Sequence, residues 1–119
     1  MKTLLVVDDE VGVTEALQDL LSDEGFAVLT ARNGKDGLKR IGEKRPDLIL
    51  LDYMMPVMDG RQLLLTLQAD ATHQDIPVIL MSAIPRSSIP ADCEPAAFLR
   101  KPFDIDQLLT EVRRLLTPG

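Results

Sequence analysis

A chain of 119 residues has room for one compact domain, and with three Phe, one Tyr and no Trp its interior must be built from aliphatic side chains. One Cys and one His exclude both an internal disulfide and a zinc site of thiolates and imidazoles, in keeping with a reducing compartment. A net charge of −6 argues against a direct grip on nucleic-acid phosphates, while the thirteen Lys and Arg leave room for a local basic face; the apolar runs are too short for a membrane span and MKTLLVVDDE turns acidic too soon for a signal peptide, so a cytoplasmic location is expected.

The first aliphatic run, TLLVV at 3–7, leads into Asp8 and Asp9. Val13, Ala16, Leu17, Leu20 and Leu21 then recur at helical spacing as far as Gly25, which sits where a C-terminal cap belongs. FAVLT at 26–30 is the second run. Asn33 is placed to cap a short helix through Lys44 that turns Leu38 and Ile41 inward. DLILL at 47–51 is the third run and closes on Asp52, and Leu63, Leu64 and Leu67 mark a third helix. IPVILM at 76–81 reaches Ser82. Beyond it, IPRSSIPADCEP at 84–95 spaces Pro85, Pro90 and Pro95 so that no more than a turn or two of helix fits. AAFL at 96–99 passes through Arg100 to Lys101 and Pro102. Asp104, with Gln107 three residues on, announces a last helix carrying Ile105, Leu108, Leu109, Val112, Leu115 and Leu116 as its apolar stripe.

Each strand-sized run is continuous rather than alternating, as strands buried on both faces of a parallel sheet require. Strand and helix alternate, which predicts right-handed crossovers and an α/β fold: a doubly wound five-stranded parallel sheet with helices on both faces. No internal repeat or linker interrupts it, so a single complete domain over 1–119 is expected. In such sheets ligands collect beyond the carboxyl ends of the strands.

At those ends stand Asp8 and Asp9, Asp52, Ser82 and Lys101. Three neighbouring carboxylates repel one another unless a cation joins them. An oxygen-only donor set favours a hard metal, and few carboxylates with retained waters suit Mg²⁺ better than Ca²⁺; the main-chain carbonyl of Met54 is a further candidate oxygen. A rigidly held Asp52 beside Mg²⁺, the Lys101 ammonium and the Ser82 hydroxyl is equipped to attack phosphorus and form an aspartyl phosphate. Taken one at a time the readings are plainer. An Asp after a strand is commonly a turn residue, Ser82 a cap, Lys101 a solvated charge, His73 an exposed polar residue, Cys93 a spectator, and Met54, Met55 and Met58 loop packing. Only their joint placement argues for chemistry.

LLVVDDE, LILLDYMMPVMDG, VILMSA and FLRKPF, in this order across the whole chain, resemble the receiver domain of two-component response regulators. The resemblance implies the flavodoxin-like strand order 2-1-3-4-5. It also implies Asp52 as phosphoacceptor, Asp9 and Asp52 as direct Mg²⁺ ligands with the Met54 carbonyl, Asp8 assisting through water, and Ser82 and Lys101 on the phosphoryl group. A cis Lys101–Pro102 bond is implied as well. Ser82 and Phe98 are the implied switch residues, with simple core packing the alternative for Phe98. The implied function is a signalling switch, not an enzyme beyond its own phosphoryl transfer and slow dephosphorylation. Its phosphate would come from a histidine kinase or phosphotransfer protein, and its output would pass through a downstream protein or a fused domain, with no nucleic acid or membrane contacted directly.

The proline-broken 85–95 segment departs from the family, whose members carry a regular fourth helix there. The helix is expected to be short or missing, and the dimer that relatives form on that face to be lost. Met54 and Ile84 are expected to flank the pocket and slow loss of phosphate by restricting water. Two other functions compete. An aspartyl-nucleophile phosphatase acting on small molecules would need a second Asp two residues after Asp52, where Met54 stands. A binding module indifferent to phosphorylation would not need the intact set of polar residues.

Overall fold

The computed structural model describes residues 1–117; residues 118 and 119, at the end of the expected domain, lie outside the described residues. Five parallel strands form one sheet: β1 (Thr3–Val7), β2 (Ala27–Ala31), β3 (Leu48–Asp52), β4 (Val78–Ser82) and β5 (Ala97–Arg100). Their spatial order is β2-β1-β3-β4-β5, as expected. Each aliphatic run becomes a strand with its ends moved by no more than two residues. The three inner strands β1, β3 and β4 are buried throughout, whereas edge strand β2 is mostly half-buried, because one of its long sides has no strand beside it.

Four helices cover the sheet: α1 (Val11–Asp23), α2 (Gly34–Glu43), α3 (Gly60–Gln68) and α4 (Ile105–Leu116). Strand side chains alternate between faces, so the uninterrupted runs feed two separate cores. Leu4, Val6, Leu48, Leu50, Ile79 and Met81 pack with Leu17 and Leu21 of α1 and Leu108, Leu109 and Val112 of α4. Leu5, Val7, Ile49, Leu51, Val78 and Leu80 pack with Ile41 of α2 and Leu63, Leu64 and Leu67 of α3. Burial of each such aliphatic side chain stabilises the fold by about 1.5–3 kcal/mol.

The helix boundaries follow local chemistry. The Asn33 side chain accepts from the backbone of Asp36, fixing the start of α2. Asp59 with Gln62, and Asp104 with Gln107, form reciprocal capping boxes at the starts of α3 and α4. Gly25, just beyond α1, takes φ +93°, the left-handed conformation that ends a helix and that L side chains avoid. Two expected stripe residues fall elsewhere. Ala16 is exposed, since the buried face of α1 narrows to Leu17 and Leu21 with Val13 and Leu20 at its margins; Ile105 is 54% exposed because it begins α4, a turn ahead of the covered face.

Between β4 and β5 the only helical structure is the 3₁₀ turn Arg86–Ser88, so the fourth helix of the resemblance is absent as a regular element. In its place the segment lies as a strap. Ile89, 5% exposed, and Cys93, fully buried, enter the α3-side core. Arg61 of α3 grips both carboxylate oxygens of Asp92 through its Nε and Nη2, Gln68 donates to the Glu94 carbonyl at 3.1 Å, and Arg86 to the Cys93 carbonyl at 3.0 Å. Cys93 is therefore a packed core residue.

Candidate functional site

The carboxyl ends of β1, β3, β4 and β5 deliver the polar residues to one edge of the sheet. Asp52 is the last residue of β3 and pairs in register with Met81, one step before Ser82 on β4; Ser82 pairs with Arg100, one step before Lys101. The link is reinforced by Lys101 N–H donating to the Ser82 carbonyl at 2.7 Å. Asp8 follows β1 directly, held by its N–H bond to the Ala31 carbonyl at 3.1 Å.

Carboxylate oxygens of Asp8, Asp9 and Asp52 lie within 4.8 Å of one another. Lys101 Nζ stands 2.9 Å from Asp8 Oδ2 and 3.3 Å from Asp52 Oδ1. Asp8 and Asp52 are buried, at 1% and 5% exposure, while Asp9 is exposed and opens the cluster to solvent. The second oxygen of Asp8 accepts from the Glu10 backbone at 2.9 Å, fixing the carboxylate's orientation. Four residues assigned from the sequence thus converge.

The charges do not balance. Burial, then the nearby Asp8 charge, raise the Asp52 carboxyl from 3.8 to about 6 despite the attraction of Lys101. Burial disfavours the Lys101 ammonium too, but its hydrogen bond to Asp8 and the charges of Asp52 and Asp8 outweigh that and hold its pKa above the usual lysine value. Three carboxylates facing one ammonium leave room for further positive charge. With oxygen donors alone and one exposed ligand for entry, the set fits a hard divalent cation.

Ser82 is fully buried, and its hydroxyl accepts from the Ile84 N–H at 3.0 Å, an ST-type turn that orients it. Met54, two residues past Asp52, is 60% exposed; Ile84 is half-buried and leans on the α3-side core. Phe98 also packs, half-buried, against that core, opposite Leu80 in register and two steps short of Ser82, so it is not part of the polar cluster. His73 is less exposed than expected, because its ring meets Asp70 at 3.0 Å in a turn remote from the cluster in sequence.

The loop from Met54 to Asp59 joins the end of β3 to α3. Pro56, Val57 and Met58 make a three-residue turn closed by a 2.8 Å bond from Met58 N–H to the Pro56 carbonyl, with Val57 at φ +71°, a conformation a β-branched residue rarely takes. Two glycines hold this loop down. A Cβ on Gly60 would stand 2.5 Å from the Asp52 carbonyl oxygen, and one on Gly34 2.5 Å from that of Met58. Gly60 therefore fixes α3 directly against the strand end carrying Asp52. Sequence reasoning missed this contact and Glu10, whose carboxylate lies 3.9 Å from Lys101 Nζ. The acidic DDE run was the available signal for Glu10; Gly60 had none until the backbones met.

The family model for the response regulator receiver domain matches residues 4–113. The response regulator Rre1 of Synechocystis is 40% identical over 96% of this chain and 51% of its own length. The response regulator MprA of Mycolicibacterium vanbaalenii is 36% identical over 95% of this chain and 49% of its own. The chain thus spans about half the length of these curated relatives. Among solved structures, the signal receiver domain of a signal transduction histidine kinase from Syntrophus aciditrophicus superposes with a TM-score of 0.89 at 33% identity, covering 98% of this chain and 90% of that one. The response regulator TrrA of Thermotoga maritima, solved in complex with Mg(2+)-BeF, gives 0.87 at 33% identity over 98% and 100%.

Proposed function

This chain belongs to the response regulator receiver domain family, and on that premise we propose that Asp52 takes a phosphoryl group from the phosphohistidine of a histidine kinase or phosphotransfer protein. The observation carrying the proposal is the meeting of Asp8, Asp9 and Asp52 within 4.8 Å with Lys101 Nζ 3.3 Å from Asp52. An Asp52 carboxylate oxygen attacks phosphorus, the P–N bond to the donor imidazole breaks, and the imidazole leaves with the bonding pair. Attack needs the ionised carboxylate, which at a pKa of about 6 is the predominant form at neutral pH.

Asp9 and Asp52, with the Met54 carbonyl, would hold Mg²⁺ directly, and Asp8 would assist through water. When bound, the ion neutralises charge on the transferred group. Lys101 supplies a fixed positive charge to a phosphoryl oxygen, and the buried Ser82 hydroxyl donates to another. Placement of Asp52 at a rigid, buried strand end limits the directions in which its carboxylate can attack. Ser82 and Phe98 serve as the switch: a hydroxyl drawn toward phosphate pulls on the turn to Ile84, which shares a core with the half-buried Phe98. The resulting shift alters binding of a downstream protein or fused output domain. Its size is limited to the difference in interaction energy between the two states.

Incubation with Mg²⁺ and acetyl phosphate, followed by intact-mass measurement, tests the reading. One added phosphate on the wild type and none on Asp52→Asn is expected. Multiple turnover of phosphate esters, or equal labelling of Asp52→Asn, would overturn it.

A further inference from the structure

Glu10 stands beside Lys101, and the proposed transfer gives it no task. Its backbone is fully engaged: the N–H donates to Asp8 Oδ1 at 2.9 Å, and the carbonyl accepts from Val13 and Thr14 at 3.0 and 3.1 Å as α1 begins. Its side chain is not. Glu10 is the N-cap of α1, where a short Ser, Thr, Asp or Asn would close onto the helix, yet it makes no side-chain cap. The carboxylate reaches instead to 3.9 Å from Lys101 Nζ. That is beyond a hydrogen bond, so what it brings is charge.

Lys101 is held more closely by the buried Asp8 and Asp52, at 2.9 and 3.3 Å, so its single charge does not neutralise Glu10 as well. Of the carboxylates paired with Lys101, Glu10 is the exposed one, its side chain 65% open to solvent. It lies no farther from Asp52 than the two distances through Nζ laid end to end. A negative charge so near the attacking oxygen acts on whatever charge a phosphodonor carries.

Phosphodonors differ in the charge at the leaving atom. An acyl phosphate arrives as a dianion; its P–O bond breaks and a carboxylate departs with the pair, so a neighbouring carboxylate opposes both arrival and departure. A phosphoramidate is protonated on nitrogen near neutral pH, so its leaving atom is cationic until the P–N bond breaks and a neutral amine departs with the pair. Phosphohistidine joins this second class when the free nitrogen of its ring is protonated. Resting on the reading of Asp52 as phosphoacceptor, we propose that Glu10 is a specificity-determining residue of the transfer, favouring phosphorus–nitrogen donors over acyl phosphates.

Initial rates of mass gain with acetyl phosphate and with phosphoramidate, at pH 7 and saturating Mg²⁺, test the proposal. Glu10→Gln keeps the side chain's length and every backbone bond. Its acetyl phosphate rate should rise relative to its phosphoramidate rate, moving the ratio by about three- to tenfold at low salt. At about 500 mM salt the shift should largely vanish, since the charge is exposed. Glu10→Ser, a better cap without the charge, should move the ratio the same way, and Glu10→Asp should stay near the wild type. Both donors use the same aspartate, so a change in metal affinity or in the folded fraction cancels in the ratio. A ratio unmoved in Glu10→Gln and Glu10→Ser, or moved equally at high salt, would overturn the inference and leave Asp52 as acceptor. Labelling of the wild type by neither donor would remove the acceptor reading and this inference with it.

Discussion

Asp52 is held at the expense of stability. Its carboxyl titrates near 3.8 when unfolded and near 6 when folded, so the native state binds more protons than the unfolded one between those values. The penalty is therefore absent below about pH 4, grows as pH rises, and is complete above about pH 7. Asp52→Asn should stabilise the metal-free protein by about 2 kcal/mol at pH 7.5 and by little at pH 4, as read from urea unfolding with a chelator present. A stabilisation equal at both pH values would rule out the ionised carboxylate as its source. Met54 carries a second prediction at this scale. Its side chain is 60% exposed two residues past Asp52, where it would be an apolar obstacle to water approaching an aspartyl phosphate. Met54→Asn should shorten the lifetime of the aspartyl phosphate severalfold with stability little changed; an unaltered decay rate would dismiss the obstacle.

At the scale of elements, three prolines made the missing fourth helix legible, because Pro85, Pro90 and Pro95 each remove a donor and restrict the residue before them. What the sequence could not reveal was how the replacement is seated. Ile89 and Cys93 stand singly among polar residues, with no period to mark them as buried, and Asp92 and Arg61 are 31 residues apart. Magnitudes decide which contact holds the strap. An exposed ion pair gains little against water and loses side-chain freedom, whereas truncating a buried isoleucine removes transfer energy and leaves a cavity. Ile89→Ala should therefore cost about 2–4 kcal/mol in chemical denaturation. Asp92→Ala should move the midpoint far less. The reverse order would make the Arg61 pair the fastening.

At the scale of the molecule, most of the candidate site was readable because a parallel sheet sends every strand's carboxyl end to the same edge, so order along the chain was enough to bring Asp8, Asp9, Asp52 and Lys101 together, with Ser82 at the adjoining strand end. Contacts that depend on backbones touching, such as Gly60 on the Asp52 carbonyl, had no counterpart in spacing or composition. The same convergence concentrates three carboxylates in a chain already carrying −6, and that excess is what a bound cation would relieve. Mg²⁺ at about 100 times its dissociation constant should raise unfolding free energy by about 2.7 kcal/mol, and a chelator should reverse the gain. Asp9→Asn removes an exposed candidate ligand without disturbing the Asp8–Lys101 pair, so it should abolish most of the gain while leaving metal-free stability nearly unchanged. Screening of the whole negative chain would also stabilise it, but any salt does that. A sodium salt at equal ionic strength should therefore fall well short of Mg²⁺; an equal shift would assign the effect to overall charge and remove the case for a specific ion at the three aspartates.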